Sequence, residues 1–212
     1  MNRLSAILIL VLFHTVEPIH AQLETPRPSP KASISQMIGV CKIQIDYCRP
    51  SVKERKIFGE LVPFDIVWRA GADEATTISF NHEISIYGNK IKPGKYGLFV
   101  IPTTKNWTFI INEEWNQWGA YNYNEDKDVL RVEIPSNKIP KRELLTFSFT
   151  SISKNGGNLN LGWDTTSISI PISTDTTKHT EIEIANLISR KSKNWFEYSA
   201  AAQYYFYEQK KQ

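Results

Sequence analysis

Val40-Cys41-Lys42-Ile43-Gln44-Ile45-Asp46-Tyr47 alternates residue by residue, with Cys41, Ile43, Ile45 and Tyr47 on one side and Val40, Lys42, Gln44 and Asp46 on the other. A period of two marks a strand with one buried face. Arg49-Pro50 closes it, because proline donates nothing to a strand ladder. The same period returns at Leu145, Phe147 and Phe149, at Leu159, Leu161 and Trp163, and at Ile168, Ile170 and Ile172. Residues 76–80, 83–87, 96–101, 107–111 and 129–134 read as further strands. Turn chemistry separates them: Gly88-Asn89, Asn155-Gly156-Gly157, and Lys92-Pro93-Gly94-Lys95, which fits a type II turn with Gly94 at its third position. Eight to ten short strands with no helix between them predict a mainly β chain, an antiparallel β-sandwich of jelly-roll or Ig-like kind, with a barrel as the alternative closure. Residues 51–65 form a long charged connection, and residues 113–117 fit a single helical turn.

The pattern changes after Thr177. Ile184, Leu187 and Ile188, then Trp195, Tyr198, Ala202 and Tyr205, follow helical spacing, and Asn194 suits an N-cap. The expected organisation is a signal peptide over 1–21, a Pro-rich linker over 22–31, a β-sandwich over 32–175 and a C-terminal helical segment over 176–212. The signal reading rests on Arg3, the short apolar run that follows, and Ala21 before Gln22. It makes the chain exported, periplasmic or extracellular, with no membrane span once the signal is removed.

The chain has 212 residues, 41% of them apolar and 22% charged, and a net charge of +3. Such a composition excludes collagen-like and wholly disordered classes and points away from a nucleic-acid binder, which carries a basic face. Cys41 and Cys48 lie seven apart on one predicted strand, about 23 Å when extended, so a bridge between them, which needs about 7 Å, contradicts the strand. Neither has a second Cys or a His at ligand spacing. No metal or other cofactor is expected.

Several segments carry a family resemblance: Pro28-Ser29-Pro30-Lys31-Ala32-Ser33, Tyr47 with Arg49-Pro50 and Lys53-Glu54-Arg55, Trp68-Arg69-Ala70-Gly71-Ala72-Asp73-Glu74-Ala75-Thr76, Pro93-Gly94-Lys95-Tyr96-Gly97-Leu98-Phe99, and Asn116-Gln117-Trp118-Gly119-Ala120-Tyr121. Their order and spacing resemble a bacterial family of exported proteins called domain of unknown function 2911. The resemblance implies an envelope or secreted β-rich domain and assigns no activity. Cys48 departs from the small hydroxyl residue expected at its position. The C-terminal helices look like the opening of a longer helical extension that some members carry.

Three groups of residues invite a ligand. Trp68, Arg69, Asp73 and Glu74 place an aromatic, a cation and two acids in one short stretch. Arg69 can clamp a carboxylate or phosphate, or pair with Asp73 or Glu74 to fix the loop. Arg49 and Arg55, with Lys53 and Lys56, form a basic loop that can hold an anion or lie solvated. Gln117, Trp118 and Tyr121, near Trp115 and Tyr123, set flat rings beside amides, as sugar binding needs, or else cap the sandwich. The catalytic templates fail: no Gly-x-Ser-x-Gly elbow or phosphate loop occurs, and His82 and His179 are the only histidines beyond the signal. The favoured reading is a non-enzymatic envelope module for a carbohydrate or small anion, sited where 68–74 meets 117–121. The rivals are a hydrolase using Glu74 or Asp73 with Arg69, and an interaction module that binds a protein partner or itself through the helices.

Overall fold

The structure is a computed structural model that describes residues 25–209. The predicted signal over 1–21 lies outside the described residues. Two antiparallel sheets face each other, and they do not close into a barrel. The larger sheet has the order β1-β2-β3-β6-β7-β8, built from β1 (Lys31–Ile38), β2 (Cys41–Cys48), β3 (Thr77–Phe80), β6 (Gly94–Ile101), β7 (Asn106–Asn112) and β8 (Asp128–Pro135). The smaller runs β5-β4-β10-β9, from β4 (Ile84–Ile86), β5 (Asn89–Ile91), β9 (Asn137–Thr150) and β10 (Gly156–Ser173). Period-two side chains of both sheets fill the space between them. Ile43, Ile45, Leu98, Trp107 and Phe109 from one layer meet Phe147, Leu161, Trp163 and Ile170 from the other, each at most 2% exposed.

The turns follow from their residues. Gly39 (φ +56°) opens the two-residue turn that pairs Ile38 with Cys41, and Tyr87-Gly88, both at positive φ, joins β4 to β5. Gly94 departs from its expectation. Its φ is not positive, and it belongs to β6, with the Tyr96 ring over it and the Tyr96 hydroxyl donating to Lys92 O at 2.8 Å. The helical turn expected at 113–117 is absent: the segment is an irregular loop, and a short 3-10 turn forms instead at Glu125–Lys127. The two apolar runs of 159–172 are one strand, bent at Asp164, which sits at φ +51° beside shifts in register.

Beyond the sandwich lie α1 (Thr176–Ser189) and α2 (Trp195–Gln209). The Asp175 carboxylate caps α1 through Lys178 N–H, and Asn194 accepts from Phe196 N–H. Helix α1 docks through buried Thr176, His179, Ile184 and Leu187, whereas α2 exposes Trp195, Phe196, Phe206 and Tyr207. No helix among the described residues is long and apolar enough to cross a membrane.

At the α1 dock the rings of His82 and His179 lie 4.8 Å apart, and His179 Nε2 is 3.1 Å from Glu83 O. Burial, then the nearby His179 charge, pulls the His82 pKa below 6.5, against a smaller opposing pull from Glu183. A depressed histidine pKa means that the unfolded chain binds the proton first. The stability held by neutral His82 is therefore full above pH 6.5 and is lost as pH falls through the lower folded value. Melting temperature should drop as pH falls below about 6.5, and His82→Gln should flatten part of that drop. An unchanged slope in the variant would remove His82 from the dock.

Candidate functional site

Between Trp68 and Thr76 the chain leaves the large sheet and returns to it. Trp68 exchanges two backbone hydrogen bonds with Val100 (2.8 and 2.9 Å), and Leu98 N–H donates to Thr76 O at 2.8 Å. The intervening loop turns at Ala70 and Asp73, both at positive φ. Its far side pairs with the loop that follows β7: Ala75 N–H donates to Gln117 O at 3.0 Å, and Gly119 N–H to Asp73 O at 2.9 Å. The second loop is tied internally. Asn112, fully buried, donates to Asn124 O and Asp128 Oδ1 and accepts from Glu114 N–H; Tyr123 donates to Asp128 Oδ2 at 2.7 Å. Gly97 lets it lie close, since a Cβ there would come within 3.1 Å of Glu114 O and 2.6 Å of the Phe99 ring.

Where these loops meet the outer face of the large sheet, a cleft of about 750 Å³ opens. Register sets Ser33, Asp46 and Thr77 in one row across β1, β2 and β3, and all three line it. Trp115 and Trp118, 37% and 54% exposed, stand along the cleft. Lys95 Nζ lies 4.4 Å from the centre of the Trp115 ring, a cation–π contact. The end of the cleft holds Glu74, Cys48 and Lys31.

Glu74 is the electrostatic centre of that end. Arg27 Nη1 donates to Oε1 at 3.0 Å and Oε2 at 2.8 Å, Lys31 Nζ lies 2.9 Å from Oε1, and the Cys48 thiol donates to Oε2 at 3.4 Å. Burial alone would raise the Glu74 pKa; the hydrogen bonds from Arg27 and Lys31 override it and bring it down to about 2. Burial, with the acceptor Glu74 and the Asp73 charge, pushes Cys48 up to about 11. Cys48 is therefore a thiol at neutral pH and a poor nucleophile. Cys48, Asp73 and Glu74 offer one sulfur and two carboxylate oxygens within 4.8 Å of one another, a set that can take a metal only in competition with Arg27 and Lys31.

Of the residues singled out from the sequence, Glu74, Gln117 and Trp118 line the cleft together, with Asp73 beside them. Gln117 uses its amide on its own loop, donating to Glu114 O and accepting from Asn122 N–H. Trp68 is a core residue whose indole N–H donates to Gly71 O at 2.9 Å. Arg69 pairs with neither acid and does not line the cleft; its Nε is buried with no hydrogen-bond partner among the described residues. Arg49 donates to Leu145 O and Thr146 Oγ1, and Arg55 to Val52 O and Ser51 O, so both guanidinium groups satisfy loop and strand acceptors. Tyr121 is 84% exposed and outside the cleft lining. Arg27, Lys31, Ser33, Asp46 and Lys95 are not among the candidate site residues read from the sequence. Only the alternation of Ser33, Ser35 and Met37 with Ala32, Ile34 and Gln36 hints at the strand that brings β1 there. The stretch expected as a free linker is bound at its end, with Arg49 N–H donating to Pro30 O at 2.9 Å.

The chain belongs to the family described as a protein of unknown function, DUF2911, which matches residues 29–172. No curated protein and no solved structure matches the chain.

Proposed function

We propose that this DUF2911 member is an exported, non-enzymatic binding module of the cell envelope and that the cleft beside Glu74 takes a carbohydrate. The observation that carries this reading is the pair Trp115 and Trp118, both solvent-accessible, along a floor of hydroxyl and carboxylate side chains. Large flat rings left in water beside hydrogen-bonding groups match the two surfaces of a sugar, its apolar C–H face and its hydroxyl rim. A drug-sized ligand needs a concavity of roughly 300–1,000 Å³, and the cleft falls in that range. Export rests on the N-terminal sequence pattern. A Glu74 held near pKa 2 supports binding over hydrolysis, because so weak a base takes protons poorly at neutral pH. The exposed rings of α2 support a second reading, a protein partner or self-association through the helices.

A thermal-shift screen against neutral oligosaccharides tests the proposal. A ligand at a hundred times its Kd stabilises the fold by about 2.7 kcal/mol. One glycan class should raise the melting temperature, and Trp118→Ala should weaken its Kd by about tenfold to a hundredfold. Trp118 is exposed, so the variant should melt within about 0.5 kcal/mol of wild type. A glycan hit that Trp118→Ala leaves untouched would move the site elsewhere.

A further inference from the structure

Resting on the carbohydrate reading, we infer that Glu74 forms a cation subsite and that the sugar bound by the cleft carries a free amino group, which takes the place Arg27 occupies. Arg27 meets Glu74 through one nitrogen. Nη1 alone reaches both carboxylate oxygens, at 3.0 and 2.8 Å, with no two-nitrogen fork. That is the position of a point donor, and a primary ammonium with its three N–H groups reproduces it with one atom.

The two cations on Glu74 are held differently. Lys31 opens β1 and is fixed in register opposite Cys48. Arg27 lies four residues ahead of that strand, and among the described residues Pro30 is the first whose backbone is bonded to the domain. The Arg27 side chain is 42% exposed, and an exposed ion pair on an irregular segment holds weakly. Glu74 itself stays fixed, because its loop is pinned through Ala75 and Asp73 to 117–119. Arg27 is thus an internal occupant that a ligand cation can exchange. Asp73, close to the same point, adds a second negative charge. The chain as a whole carries +3 and repels cations, so a preference for an amine has to arise locally.

The experiment compares a glucosamine tetrasaccharide, its N-acetylated form and a neutral glucose tetrasaccharide of the same linkage, by calorimetry and tryptophan fluorescence at low salt. The wild-type protein should bind the amino form about tenfold more tightly than the other two. Arg27→Ala should tighten the amino form several-fold and leave the neutral one unchanged, a gain that misfolding cannot produce. Glu74→Gln should abolish the preference, bringing the amino form level with the other two sugars. Neutral binding with no amine preference, or an amine preference that survives Glu74→Gln or does not rise in Arg27→Ala, overturns the cation subsite and leaves the carbohydrate cleft standing. Silence with all three sugars in wild type and Arg27→Ala overturns both.

Discussion

Trp68→Ala should cost the fold about 3–5 kcal/mol, the range for removing a large aromatic from a packed core. The indole is 8% exposed and stacks on Trp163 at 5.8 Å and 20°, with Phe58 edge-on at 6.1 Å. Its N–H is the donor to Gly71 O, so truncation opens a cavity and also strips a buried carbonyl of its partner. Phe58 belongs to the long connection over 51–65 and packs at 4.7 Å on Trp107, so the void undermines the group that ties this connection to the core. Domains are stable by only about 5–15 kcal/mol, and a loss of this size removes a large share. Urea unfolding should show a much lower midpoint at an unchanged slope. If Trp68→Ala instead kept its midpoint and lost ligand binding, the indole would belong to the site and not to the core.

That prediction marks the limit of a residue-type reading. Trp68 and Arg69 look like a ligand pair because an aromatic beside a cation is what a ligand needs, yet strand pairing with Val100 turns Trp68 into the sandwich. Arg49 and Arg55 look free to hold an anion, yet Arg49 donates into β9 at Leu145 O and Thr146 Oγ1, and Arg55 supplies donors to Ser51 O and Val52 O, carbonyls that the irregular connection leaves outside any ladder. Alternation made β2 and the β9–β10 hairpin plain, since one face of each is apolar. Strand β1 was obscure: it is an edge strand whose inward Ala32 and Ile34 are only half-buried, and Gln36 on the inward side with Met37 on the outward side breaks the apolar alternation. Neither β1 nor the stretch just before it therefore gave a sign that Arg27 and Lys31 would meet Glu74, more than forty positions on. Such a contact depends on hairpin register, which local sequence does not carry.

Gly39→Ala should destabilise the protein by about 2–5 kcal/mol, combining about 1–2 for a left-handed non-glycine residue with about 1–3 for overpacking. A Cβ at Gly39 would fall 1.9 Å from Thr176 Oγ1 and 2.7 Å from Lys154 O. Thr176 is buried, β-branched and bonded through that hydroxyl to Lys154 O, so it has little room to yield. The added methyl therefore pushes on the start of α1 and the β9–β10 turn together. Thr176→Ala in the same chain should relieve the collision with Thr176 and leave the backbone strain, making the double variant more stable than the two single losses predict. Such non-additivity is the mark of a direct contact. Additive losses, measured by urea unfolding, would mean that α1 is not seated on this hairpin. The family match ends at residue 172, before α1 begins, yet Thr174, Thr176 and His179 bind Glu83 and Lys154 within the sandwich. Coupling between Gly39 and Thr176 would place α1 inside the cooperative unit of the sandwich, and the acid sensitivity expected at His82 would then act on the whole domain.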